Sequence, residues 1–228
     1  MGYSVAIDGP AGAGKSTIAK KIAAEMNFIY VDTGAMYRAM ALYLYRKGVK
    51  PEDREEIAKY CQDANISITY ENGEQIVLLD GENVNGLIRQ EEVGNMASIT
   101  SANGMVRKKL VRLQQKLADQ KEVIMDGRDI GTCVLPDADV KIFLTASSKV
   151  RAKRRFDELT AKGEECVLEE IEADIIRRDR QDREREISPL RQAVDAVVVD
   201  TSNMDIDMVV EKITQLIQTD KSKKVKDK

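Results

Sequence analysis

Short apolar runs alternate with longer amphipathic stretches along most of the chain, the rhythm of an α/β protein with buried parallel strands. Ser4-Val5-Ala6-Ile7 stops at Asp8-Gly9-Pro10, and Ser16 to Met26 follows with Ile18, Ile22 and Ala23 on one helical face. Phe28 to Val31 reads as a second strand and Ala35 to Arg46 as a helix, with a further helical section beginning near Glu52. Between Ile66 and Val84 the pattern turns β-rich around Asn72-Gly73, as in a hairpin inserted into the α/β chain. After Gly104, Val106, Leu110, Leu113 and Leu117 recur at helical spacing. Val123-Ile124-Met125, Val140 to Leu144 and Val197-Val198-Val199 complete a set of five core strands. Polar helices are predicted over Ser147 to Ala161 and Leu168 to Arg185, and an amphipathic helix through Ile206, Val209, Val210, Ile213, Leu216 and Ile217 closes the chain. Asp220 to Lys228 is expected to fray as a charged tail.

Composition supports one globular body with an inserted subdomain: 43% of the 228 residues are apolar and 33% charged. With 36 basic and 39 acidic side chains the net charge is −3, which argues against a basic nucleic-acid coat but not against local anion sites. The three scattered cysteines, Cys61, Cys133 and Cys166, disfavour a disulfide framework and suit a reducing compartment. Neither a basic leader nor 18 uninterrupted apolar residues is present, so a cytoplasmic protein without membrane spans is expected. Nothing marks an obligate interface, and a monomer is expected. The chain has no histidine, which removes every scheme built on an imidazole base or carrier.

Gly9-Pro10-Ala11-Gly12-Ala13-Gly14-Lys15-Ser16 has the full phosphate-loop spacing, between a strand and a helix. Successive amides of such a loop cradle phosphate, the lysine bridges β and γ oxygens, and the hydroxyl of Ser16 can hold magnesium. No Asn-Lys-x-Asp guanine-reading motif accompanies it, so the class shifts from regulatory GTPases toward kinases of small molecules.

Two further segments sit at strand ends, where ligands gather in a parallel sheet. In Asp32-Thr33-Gly34-Ala35-Met36-Tyr37-Arg38, Thr33 can bond a substrate and Arg38 can fork a phosphate, or the segment is an ordinary helix start. In Asp126-Gly127-Arg128-Asp129-Ile130-Gly131-Thr132, Asp126 could order water around magnesium and Arg128 could grip an acceptor phosphate, or the residues only cap a turn. The basic run with Arg151, Lys153, Arg154 and Arg155 fits either a lid over transferring phosphates or a solvated helix. Arg178, Asp182 and Arg185 share a helical face, as a surface ion-pair ladder or as a grip on a dianion.

Taken in order, these motifs, with Gly81-Glu82-Asn83-Val84, Asp137 to Leu144 and Arg183-Glu184-Arg185 before Ser188-Pro189-Leu190, resemble the bacterial cytidylate kinases of the nucleoside monophosphate kinase family, over Tyr3 to Ile217. That resemblance implies a phosphate-loop (Walker A) kinase core with a five-stranded parallel sheet flanked by helices, an inserted monophosphate-binding region and a short helical lid. The core would be 1–34 and 103–228, the monophosphate-binding region 35–102 with its β-rich insert near 66–84, and the lid 149–162. It implies reversible transfer of the ATP γ-phosphoryl group, with Mg2+, to CMP or dCMP, and no nucleic-acid partner. Residues Gly9 to Gly14, Lys15, Ser16 and Thr17 would hold ATP. Thr33 would approach the sugar, and Arg38, Arg128 and Arg185 the acceptor phosphate. Ser98, Arg107 and Asp129 would read cytosine, with Asp182 and Arg178 at the pentose. Lys15, Arg128, Arg185 and the lid residues Arg154 and Arg155 would act on the transferring group. Thr33 stands where the family frequently has serine. A kinase for another small acceptor, or a phosphate-loop switch with little catalysis, is the competing reading.

Overall fold

The computed structural model describes residues 2–119 and 122–226. Its main sheet has five strands, β1 (Ser4–Asp8), β2 (Ile29–Asp32), β6 (Val123–Gly127), β7 (Val140–Thr145) and β8 (Val197–Asp200), in the order β2-β6-β1-β7-β8. The pairs β1-β7 and β7-β8 run parallel, with Ile7 opposite Ile142 and Leu144 opposite Val199. Every residue of β6 is buried, and Val5, Ala6 and Ile7 of β1 are sealed from solvent, which explains their unbroken apolar runs.

By internal packing the chain divides into two compact units, one essentially Ile29–Val123, the other Tyr3–Phe28 with the chain from Ile124 onward. The first unit holds α2 (Thr33–Arg46), α3 (Arg54–Tyr60), the antiparallel sheet β3 (Ile66–Glu71), β4 (Glu74–Leu79) and β5 (Glu82–Asn83), then α4 (Glu91–Thr100) and α5 (Gly104–Ala118). Helix α2 starts two residues earlier than its apolar pattern indicates, because the Asp32 carboxylate accepts from Ala35 N at 2.9 Å and caps it. The β3-β4 hairpin turns through Asn72 and Gly73, both at positive φ (52° and 81°), as a two-residue hairpin turn requires. Helix α4 has no counterpart among the sequence expectations. Val93, Met96 and Ala97 form its buried stripe, but Gly94 interrupts it and Gln90 supplies no side-chain cap.

The second unit holds α1 (Lys15–Met26), α6 (Ser148–Ala161), α7 (Leu168–Glu184) and α8 (Ile206–Lys226) around β1, β7, β8 and all of β6 but Val123. Ser147 caps α6 by accepting from Val150 N at 3.3 Å. The expected frayed tail is instead the last turns of α8. Tyr3 Oη donates to Asp220 at 2.8 Å, Lys221 lies 4.3 Å from the Phe28 ring centroid, and Lys224 pairs with Asp139 and Asp220. These contacts order a segment whose composition alone reads as solvated; the final two residues of that expectation, 227–228, lie outside the described residues. Among the described residues no helix is long and apolar enough to cross a membrane.

Candidate active site

In the second unit the loop from Gly9 to Gly14 joins β1 to α1 and closes beneath Leu144 of β7. Gly9 has φ 151°, and a Cβ there would lie 1.9 Å from the Leu144 carbonyl oxygen, so no other residue fits. Lys15 and Ser16 open α1, where unsatisfied amides and the helix dipole favour an anion. Lys15 Nζ donates to the Pro10 carbonyl at 2.8 Å, inside the loop's own curl. Burial lowers its pKa to about 7, helped by the Arg128 charge and opposed by Asp126, Asp8 and Asp182. Ser16 Oγ donates to Asp126 Oδ2 at 2.9 Å, and Thr17 is exposed beside it.

Asp126 lies near the end of β6, next to β1 in the sheet, and Arg128 and Asp129 follow the strand directly. Arg128 Nε donates to Asp182 Oδ2 at 2.7 Å. Arg185 Nη1 stands 3.8 Å from Asp182 Oδ1, and its Nη2 3.6 Å from Asp129 Oδ1. Four residues from two segments thus form one alternating chain, Arg128, Asp182, Arg185, Asp129. Burial would pull the Arg128 pKa down, but Asp182 and Asp126 carry it above its ordinary value. The guanidinium of Arg185 is oriented by a 2.5 Å bond from Nε to the Ser188 carbonyl. This resolves the α7 charge pattern. Arg180 and Glu184 make the exposed i,i+4 pair of a surface ladder, whereas Asp182 and Arg185 turn toward Arg128 and Asp129. Arg178 lies half-buried one turn before Asp182.

The two lid candidates differ. Arg154 donates to Thr201 Oγ1 at 3.1 Å and to its carbonyl at 2.7 Å, while Arg155 pairs with Glu158 on the exposed side of α6.

In the first unit Thr33 is buried at the start of α2 and Arg38 is half-buried on the same helix, its Nη1 3.4 Å from the Ile88 carbonyl. Arg107 of α5 is buried, donates to the Ser101 carbonyl at 3.2 Å and has its guanidinium 5.4 Å from the Tyr37 ring centroid. Ser98 is exposed on α4, and its carbonyl accepts from Ser101 Oγ at 3.0 Å.

Asp8 and Gln75 escaped the sequence reading as members of the site, and Arg151, placed there in a basic run that fits a lid or a solvated helix, is instead buried. Arg151 makes a buried two-pronged pair with Asp179, at 3.1 and 2.6 Å, and donates to the Ala11 carbonyl at 2.9 Å, tying the phosphate loop to α6 and α7. Asp8 accepts from Ile130 N at 2.8 Å and Gly131 N at 2.7 Å, fixing the turn that follows Asp129. Burial raises the Asp8 pKa to about 6 despite those two bonds. Gln75 of β4 grips the backbone of Asp32. A carboxylate ending an apolar strand just before the phosphate loop was a visible signal for Asp8, and the basic run was one for Arg151; Gln75 had none.

A phosphate loop between the first strand and helix of a parallel five-stranded sheet, beside a basic cluster at the next strand end, defines a phosphate-loop kinase core. A solved structure of an uncharacterized protein from Eubacterium ventriosum shares the fold, with a TM-score of 0.51, 14% identity and coverage of 95% of this chain and 98% of that one. The family model described as cytidylate kinase matches residues 5–219. The cytidylate kinase of Caldicellulosiruptor bescii is 49% identical over 213 residues, covering 93% of this chain and 94% of its own. That of Lactobacillus johnsonii is 51% identical over 214 residues, covering 94% and 93%. The chain belongs to the cytidylate kinase family.

Proposed function

We propose that the chain transfers the γ-phosphoryl group of ATP reversibly to CMP or dCMP, giving CDP or dCDP and ADP. Family membership supports the acceptor class. The observation that carries the chemistry is the buried Lys15 in its phosphate loop, within electrostatic reach of Arg128, whose guanidinium heads the Arg128-Asp182-Arg185-Asp129 chain.

The loop from Gly9 to Thr17 binds the ATP phosphates, and Lys15 lies along the oxygens that gain charge as the phosphoryl group moves. Arg38, Arg128 and Arg185 hold the acceptor phosphate; Thr33, Arg178 and Asp182 address the sugar; Ser98, Arg107 and Asp129 read cytosine. A CMP phosphate has its second ionisation near about 6 and is largely dianionic at neutral pH, so its oxygen attacks without a general base. That accounts for catalysis in a chain without histidine. Region 35–102 serves the monophosphate, and 149–162 closes as a lid that excludes water, with Arg154 and Arg155 on the donor phosphates.

Mg2+ suits the oxygen donors at this point, where Ser16 Oγ and Asp126 Oδ2 lie 2.9 Å apart. Ser16 would hold it directly and Asp126 through its water; when bound, it neutralises charge on the β and γ oxygens. The three free cysteines suit operation in the cytoplasm, and we assign the working form as a monomer.

Transfer of label from γ-labelled ATP tests the reaction. Label appearing in CDP supports it; label released only as inorganic phosphate, with or without CMP, overturns it.

A further inference from the structure

We propose that Gln75 of the inserted hairpin is a positioning residue for the acceptor, a side-chain clamp that sets the start of the helix carrying Thr33 and Arg38. Its Oε1 accepts from Asp32 N at 2.8 Å and its Nε2 donates to the Asp32 carbonyl at 3.2 Å. One amide side chain thereby satisfies both backbone groups of one residue, as a neighbouring strand would. Tyr70 of β3 adds a bond two residues earlier, donating from Oη to the Tyr30 carbonyl at 3.0 Å. The end of β2 is therefore tied to the hairpin through side chains.

The clamp is itself held. Asn85 Nδ2 donates to the Gln75 carbonyl at 2.8 Å and Asn85 Oδ1 accepts from Val77 N at 2.9 Å, which fixes β4 at the position of Gln75. On the other side, Asp32 uses its carboxylate to cap α2 through Ala35 N and stands 3.4 Å from Arg89 Nη2. Thr33 follows Asp32 directly, and Arg38 lies in the second turn of the helix that Asp32 caps. A small rotation of the Asp32 peptide tilts both side chains, and misplacement of a phosphate-binding fork weakens binding steeply. The hairpin's folding does not depend on this grip, because Ile76, Val77 and Leu79 are buried while Gln75 is only half-buried.

The proposal rests on the assignment of Thr33 and Arg38 to CMP. The test compares Gln75→Met, which keeps the length and loses both bonds, with Gln75→Glu, which keeps only the bond from Asp32 N. The Asp32 amide is expected to exchange with solvent faster in Gln75→Met, and KM for CMP to rise about tenfold with KM for ATP and Tm nearly unchanged. Gln75→Glu should fall between Gln75→Met and the wild type. Unchanged Asp32 exchange, or KM for ATP rising in step with that for CMP, overturns the clamp. If Asp32 exchange changes and Arg38→Ala raises KM for CMP but Gln75→Met does not, the clamp lacks its positioning role while the functional reading stands. A wild-type protein that never phosphorylates CMP overturns both.

Discussion

Arg128 and Asp182, 54 residues apart, meet at 2.7 Å with both side chains mostly withdrawn from solvent. The pair joins the end of β6 to α7 and presents one guanidinium already oriented by a carboxylate. Removing either partner takes the nearest countercharge from a partly buried group, leaving Asp182 with Arg185 at 3.8 Å or Arg128 with the Asp126 charge. Arg128→Ala and Asp182→Ala are each expected to raise KM for CMP and lower kcat. In a double-mutant cycle on stability the pair should couple by about 1 to 2 kcal/mol. Additive losses in chemical denaturation would show that the contact is incidental.

Lys15→Ala is expected to remain folded and lose most of its turnover, since backbone geometry shapes the loop and the side chain supplies charge. The depressed Lys15 pKa, about 7, adds a second expectation. Much of the ammonium is neutral above that value in the free protein, and ATP phosphates favour the charged form. Binding of ATP at about pH 8 should therefore take up a fraction of a proton, seen as a dependence of the calorimetric heat on buffer ionisation. Heats independent of buffer, or the same uptake in Lys15→Ala, would contradict this.

Asp8 gives the opposite pH signature. Its carboxyl is raised from 3.8 to about 6, so across that interval the folded state keeps a proton that the unfolded chain has lost. Its contribution is present below the unfolded value and is lost as pH rises through the folded one. Unfolding free energy measured by urea from about pH 4 to 7 should show this decline, and Asp8→Asn should flatten it. An identical pH profile in the two proteins would remove Asp8 as its source.

The two arginines proposed for the lid separate by their contacts. Arg154→Ala is expected to lower both Tm and kcat, because it also severs the bonds to Thr201. Arg155→Ala is expected to lower kcat with Tm unchanged, since its exposed pair with Glu158 adds little stability. Thermal unfolding beside steady-state rates checks both; full activity in both variants would make α6 a solvated helix and no lid.

What could be read from the chain follows the range of the forces involved. The phosphate loop is a local pattern, and β1, β6 and β7 are built on short apolar runs, broken in β7 only by Lys141, so both were legible. So was the Asn72-Gly73 turn, whose positive φ values are written in its residue types. Helix α4 was not, because Gly94 weakens its propensity and its stripe of Val93, Met96 and Ala97 is short. Long-range pairings were hidden. Arg151 finds Asp179 across 28 residues, and the α7 face that resembles a surface ladder proved to be divided between solvent and Arg128. The order of Asp220 to Lys226 likewise depends on Tyr3 and Asp139, far away in sequence.

Acceptor selectivity, read as kcat/KM over CMP, UMP, AMP and shikimate at saturating ATP and magnesium, tests the central claim most directly. On the proposed reading Asp129 would accept from the cytosine amine and Arg107 would donate to its acceptor edge, whereas uracil would turn both contacts into mismatches. A buried unpaired polar group costs roughly 1 to 3 kcal/mol, so CMP should exceed UMP by at least about tenfold, AMP and shikimate should be poorer still, and Asp129→Ala should narrow the CMP to UMP ratio mainly by damaging CMP use. Equal use of CMP and UMP by the wild type, or a ratio unchanged in folded Asp129→Ala, would contradict the account.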